Sequence, residues 1–297
     1  MAATDTNLDQ LEDLRERSGS IRSLLRFLRK QPLGSTGLFL VLAMVLVAIF
    51  APYISAYHPE LNSFEDMLVP PGAAFVLGTD EFGRDIFTRL MYGARTALFV
   101  GLTSAFIGST LGLVIGVASA YFGGRVDLIA QRIIDVIMAF PIIILALAIV
   151  SILGTEMHNV ILAITLPFIP KCARVVRSSA LAIREIPYID AARANGFSNT
   201  RIIMRHMVPN VMAPYLIVLT AAVGQAILLE ASLSFLGLGV QEPIPAWGLM
   251  LRNAQDYIES APWVAIWPGL AITMAVFGFN MFGDAVRDSL DPRLRSQ

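Results

Sequence analysis

The sequence predicts an all-α polytopic membrane protein with six transmembrane helices and both termini cytoplasmic, and three observations carry that prediction. Of its 297 residues 56% are hydrophobic and 15% charged, with a mean hydropathy of +0.66, which is too apolar for a soluble domain. Six long runs are nearly free of charge, and about 20 apolar residues suffice to cross a bilayer core. Eighteen of the 22 Lys and Arg fall on alternate connecting segments, four on the others, and the positive-inside rule puts the richer set in the cytoplasm.

The expected spans are 38–57, 97–122, 136–154, one starting near Val160, 211–236 and 263–282. In the fourth, Pro167 and Pro170 precede Lys171, Arg174 and Arg177, so it should leave the membrane as a kinked helix. The outer side then receives the proline-bearing segment 58–95 and the loop 241–262. Residues 1–35 form a cytoplasmic tail ahead of a permeating domain, 36–297. In that tail Ile21, Leu24, Leu25 and Leu28 share one helical face and Arg22, Arg26, Arg29 and Lys30 the other. Such a helix suits either an anionic lipid surface or a partner subunit. No cleavable leader is evident, and the first span is expected to stay as an anchor.

The same inventory excludes chemistry. A net charge of −1 gives no nucleic-acid footprint. One cysteine, Cys172, reads as a buried thiol, and three scattered histidines make no metal motif, so no metal site is expected. Neither Lys30 nor Lys171 follows a glycine, which rules out a phosphate-binding P-loop. No catalytic residues can be assembled, and the chain is not expected to hydrolyse ATP itself.

Within the spans, Gly108, Gly112, Gly116, Ala120 and Gly124 recur every four residues and predict close backbone packing on a neighbouring helix. Glu230, with Ser234 one turn on, is the only acid deep in a run. It lines or gates a pathway, or it is a carboxylate bonded to a neighbouring helix or exposed at the outer interface. Asn280 is a candidate for the same pathway or for interhelical bonding. Before the second span, Thr79 or Asp80 can cap a helix with Ile86, Phe87, Leu90 and Met91 on one face, lying on the outer leaflet. Asp80, Arg84 and Asp85 there are candidate contacts for an external protein or form a local ion pair and cap. Asp284, Arg287, Asp288 and Asp291 are spaced for a charge ladder at the end of the sixth span.

The largest cytoplasmic feature is the loop 185–209. Asp190, Ala191, Ala192, Arg193, Ala194 and Asn195 read as a short helix that Gly196 can end sharply. Ser198 or Asn199 can cap a second helix through Ile202, Ile203 and Met207, and Pro209 should end it before the fifth span. Two short helices around a glycine turn make a rigid knob.

Asp190-Ala191-Ala192, Gly196 and Pro209 resemble the E-A-A-x3-G-x9-I-x-L-P coupling loop of ABC importer permeases, with Asp190 for Glu, His206 for Ile and Val208 for Leu. The string Arg205-His206-Met207-Val208-Pro209-Asn210 is similar to the form common in the peptide branch. Three more strings, LGTDEFGRD at 77–85, EASLSFLGLGVQEPIPAWGLML at 230–251 and FGDAVRDSLDPRLR at 282–295, resemble the C-type permease subunit of dipeptide, oligopeptide and nickel importers.

The resemblance implies the type I ABC importer permease fold in a bacterial cytoplasmic (inner) membrane. It implies a second homologous permease, two cytoplasmic ATPases that bind ATP and Mg²⁺, and an extracytoplasmic substrate-binding protein. This chain would bind no cofactor and would form half of a pathway for peptides or a related solute. Nickel chelates, glutathione and opines are alternative cargoes. An ion-coupled secondary transporter is the rival class, and it predicts paired intramembrane acids and two related halves. The sequence has one deep acid and no internal repeat. A pure scaffold subunit is the further alternative.

Overall fold

The computed structural model describes residues 32–290, so the amphipathic tail, Asp291 and the last residues lie outside it. Among the described residues ten helices follow one another: α1 (Pro32–Ile54), α2 (Ile86–Phe122), α3 (Gly124–Met138), α4 (Ile142–Leu153), α5 (Met157–Arg184), α6 (Pro187–Ala194), α7 (Asn199–Ile202), α8 (Val208–Phe235), α9 (Trp247–Asn253) and α10 (Trp263–Leu290). A π-helical turn, Ile203–Met207, joins α7 to α8 without a break. Five helical stretches are long and apolar enough to cross a membrane, and the bent pair α3 and α4 makes a sixth if counted as one.

The long helices alternate in direction, so the bundle has two ends. At one end the carboxy-terminal turns of α2 and α5 meet α6 and α7. At the other, the start of α2 meets the chain that follows α8. One core joins α2, α5, α8, α9 and α10 through residues such as Val100, Ile164, Ile227 and Leu249. A second, at the α6 end, gathers Val117, Tyr121, Cys172, Val176, Ile189, Ile202, Met207, Val211 and Tyr215. Cys172 is the buried thiol expected of it.

The glycine stripe of α2 packs on α5. A Cβ at Gly108 would sit 2.8 Å from the Thr165 carbonyl oxygen, one at Gly112 2.7 Å from Cys172 Cβ, and one at Gly116 2.6 Å from the Ala173 oxygen. These contacts, to backbone oxygens and to the first side-chain carbon of Cys172, leave no room for a larger residue. Gly124 does not belong to the stripe. It starts α3, where a Cβ would meet nothing within 4 Å.

Four expectations are corrected. The third span is not one straight helix over 136–154, because α3 and α4 meet at 90° around Pro141. Pro141 has no amide hydrogen to continue α3 and restricts the residue before it, so the chain turns and α4 restarts with 12 residues. The helix at Ile86 does not lie separately on a leaflet. It is capped by Asp85, whose side chain accepts from the Thr88 amide at 2.8 Å, rather than by Thr79 or Asp80, and runs 37 residues directly through the second span. Pro209 does not end a helix either. It falls in the first turn of α8, and the π turn ahead of it widens the helix where a proline ring would otherwise meet the preceding carbonyl. Finally, Asp284, Arg287 and Asp288 form no ion pair with one another among the described residues.

Candidate functional site

Helix α6 begins with Pro187 in its first turn, where the missing amide hydrogen costs nothing. It ends in paired hydrogen bonds, Gly196 N to the Arg193 oxygen at 2.9 Å and Phe197 N to the Ala192 oxygen at 3.1 Å. This is a Schellman closure, which needs a left-handed residue at Gly196, and φ there is +73°. The Ser198 hydroxyl then accepts from the Arg201 amide and opens α7. The predicted helix, glycine turn and second helix are all present, except that the second helix continues into α8.

Two residues key the knob into the bundle. Ile189 and Ala192 are buried, in one core with Ile202 and Met207, and burying an Ile side chain is worth about 1.5–3 kcal/mol. Tyr121 at the end of α2 donates to Asn199 Oδ1 at 2.8 Å, and the Arg193 guanidinium lies 5.3 Å over its ring. Arg184 donates to the Ala120 carbonyl at 2.8 Å, and Arg177 pairs with Asp127 of α3 through two bonds. Exposed on α6 and its turn are Pro187, Tyr188, Asp190, Ala191, Arg193, Ala194, Asn195 and Gly196. From Ala191 to Gly196 that surface is mostly small residues, and it carries one ion pair, Asp190 to Arg193 at 3.2 Å.

His206 is half-buried behind this surface, whereas Pro209 is exposed in the first turn of α8. The His206 ring stacks on Phe197 at 6.2 Å, and its carbonyl, left over by the π turn, accepts from Tyr188 Oη at 3.3 Å and Asn210 Nδ2 at 2.6 Å. His206 therefore ties α6 to the start of α8. That role could have been read from Tyr188, His206 and Asn210 only if the π turn were known.

At the opposite end, Asp80, Arg84 and Asp85 are buried and internally engaged. Arg84 Nε donates to Asp80 Oδ2 at 2.7 Å and Nη1 to Glu242 Oε2 at 2.8 Å. The fully buried Arg89 adds bonds to the Pro59 carbonyl at 3.1 Å and to Glu242 Oε1 at 3.2 Å. Burial alone would pull the Arg84 guanidinium down, but Asp80 and Glu242 outweigh it and hold it above its ordinary value. Burial, with the Asp80 charge adding, pushes the Glu81 carboxyl up. This network clamps segment 58–85 to the loop after α8. Glu242 and Arg89 were not singled out from the sequence, because their partners lie 153 and 158 positions away.

Glu230 and Ser234 come together, Ser234 Oγ donating to Glu230 Oε1 at 2.7 Å and accepting from the Val240 amide at 3.2 Å. Both are enclosed where α8 turns into the following loop. Asn280 is elsewhere, exposed on α10 beside Gly224 of α8.

An exposed surface on a knob keyed to the core thus stands at one end of the helical bundle. The description "Binding-protein-dependent transport system inner membrane component" matches residues 108–296. The chain belongs to that family. The N-terminal TM domain of oligopeptide transport permease C matches residues 21–71. The chain is 46% identical over 261 residues, 88% of each chain, to a putative peptide transport system permease protein of Brucella abortus. It is 45% identical over 281 residues to the dipeptide transport system permease protein DppC of Alkalihalophilus pseudofirmus, covering 93% of this chain and 90% of that one. To the glutathione transport system permease protein GsiD of Pectobacterium atrosepticum it is 41% identical over 272 residues, 91% and 90% of the two chains. Its fold is shared with a chain of the MetNI methionine ABC transporter in an inward-facing crystal form, at a TM-score of 0.57, 20% identity and coverage of 69% of this chain and 98% of that one. This family member is thus a multi-pass inner-membrane transport component, and α6 with its glycine turn falls inside the family match.

Proposed function

We propose that the chain is one of two permease subunits of an ATP-driven importer, forming half of the pathway for peptides or a related small solute. The observation that carries this reading is α6, exposed on one side, keyed to the core on the other, and joined by the Gly196 turn to the 37-residue helical stretch Asn199–Phe235, with which it shares the buried core of Ile189, Ala192, Ile202 and Met207. A push on α6 by a partner therefore moves a membrane-crossing helix as one piece, the rigid-body switch that alternating access requires.

In this reading two cytoplasmic ATPases bind ATP and Mg²⁺ and receive α6 in a groove. Both chain ends and the knob are cytoplasmic, supported by the cations Arg174, Arg177, Arg184, Arg193, Arg201 and Arg205 at that end. A substrate-binding protein meets the opposite end, where the Asp80, Arg84 and Glu242 clamp gives it a rigid platform. The named relatives supply the cargo class, peptides or glutathione. The test is a mild-detergent pull-down of the tagged chain from native membranes with an ATPase assay. Recovery of a second permease with active ATPases is expected, whereas a folded chain that purifies alone would contradict it.

A further inference from the structure

The exposed face of α8 is flanked by α5 and α10, and it carries polar groups at one level. Lys171 Nζ of α5 donates to Gln225 Oε1 of α8 at 3.0 Å, both residues being exposed in this chain. Asn280 of α10 lies against Gly224, the residue next to Gln225, is exposed, and makes no hydrogen bond among the described residues. At about 1.5 Å per residue, Lys171 is about 21 Å along α5 from Met157, and Gln225 is about 26 Å along α8 from Val208. Both therefore sit in the middle stretch of helices that cross the membrane, and the pairing with Gln225 corrects the expectation that the fourth span has left the membrane by Lys171. An exposed ammonium at that level does not face lipid; such groups face a water-filled cavity or a partner.

The hydrogen-bonding capacity of the pair is one-sided. Lysine has three donors and no acceptor, so Gln225 must turn its oxygen to Lys171, and its NH₂ is then directed away. Among the described residues, one of the five N–H groups on the Lys171 and Gln225 side chains is used and no carboxylate lies within ion-pair distance of Lys171. A positively charged, donor-rich pair with its acceptor already taken is complementary to an oxyanion.

We propose that Lys171 and Gln225, with Asn280 beside them, form a subsite in the translocation pathway that takes the carboxylate of the passing solute. This rests on the pathway reading above and deepens it. The cargo is a solute that carries a free carboxylate, held by two side chains from the neighbouring helices α5 and α8. Held weakly by an exposed pair, the carboxylate can leave again.

The test needs no knowledge of the cargo. Leu228, exposed one turn beyond Gln225 on α8, is replaced by cysteine in a Cys172→Ala background, in the assembled complex in native membranes. Its modification rates are measured with a carboxyethyl and a trimethylammonium-ethyl methanethiosulfonate. The expected result is modification by both reagents, with a rate ratio favouring the carboxylate reagent that falls about fivefold or more in Lys171→Met and is kept in Lys171→Arg. A ratio unchanged in Lys171→Met overturns the subsite and leaves the pathway reading standing. No modification by either reagent places the face out of water and overturns the pathway reading itself. Co-purification of the same partners by both Lys171 variants checks that they fold.

Discussion

At Gly196 the backbone has φ of +73° and an added Cβ would meet nothing within 4 Å. Substitution there acts through backbone strain alone, about 1–2 kcal/mol for an ordinary L-residue in the left-handed region and less for Asn. Gly196→Asn should therefore keep uptake near the parent level, and Gly196→Ala should lose part of it. Gly196→Val should uncouple ATP hydrolysis from uptake while the chain still inserts. Comparing uptake per ATP hydrolysed across the three checks this, and equal values for Asn and Val would remove the glycine turn from the coupling mechanism. The sequence exposed this residue because glycine after a short alanine-rich helix has few other uses. It did not expose Arg89 or Glu242, ordinary charged residues whose pairing depends on two distant segments meeting.

At the scale of elements, spacing was informative wherever one helix carries its own signal. The Gly108, Gly112 and Gly116 stripe packs as expected on α5, and the face it needs is set by helical period alone. Gly112→Val would drive side-chain carbons into Cys172 Cβ and the Ile169 carbonyl, both 2.7 Å from a Cβ at that position. It should abolish accumulation of the folded chain in the membrane, whereas the same change at Gly196 should not; equal membrane levels of the two variants would contradict the packing. Breaks were less legible. Pro141 inside an apolar run was absorbed into a span because hydropathy has no term for direction, and the chain turns by 90° there. Pro209 was read as a helix end because proline ordinarily interrupts one, yet a π turn lets the helix pass.

The whole molecule joins two ends through continuous helices. One end is a clamp in which the buried Arg84 and Arg89 hold the exposed Glu242, the other the knob around Gly196, and the Asn199–Phe235 stretch runs between them. The membrane class and the knob were legible from composition, charge placement and the 190–209 spacing. The polar face of Lys171, Gln225 and Asn280 was not, since it exists only once three helices are laid side by side. The account stands on α6 being the part that ATPases push. Ala191 is exposed on α6 and remote from its buried side, so Ala191→Trp should leave the fold intact and spoil only a groove-filling contact. The most direct measurement is co-purification with this variant, alongside ATP-dependent uptake. The predicted result is that the second permease is retained while the ATPases and uptake are lost; ATPases bound as before with uptake unchanged would contradict the account.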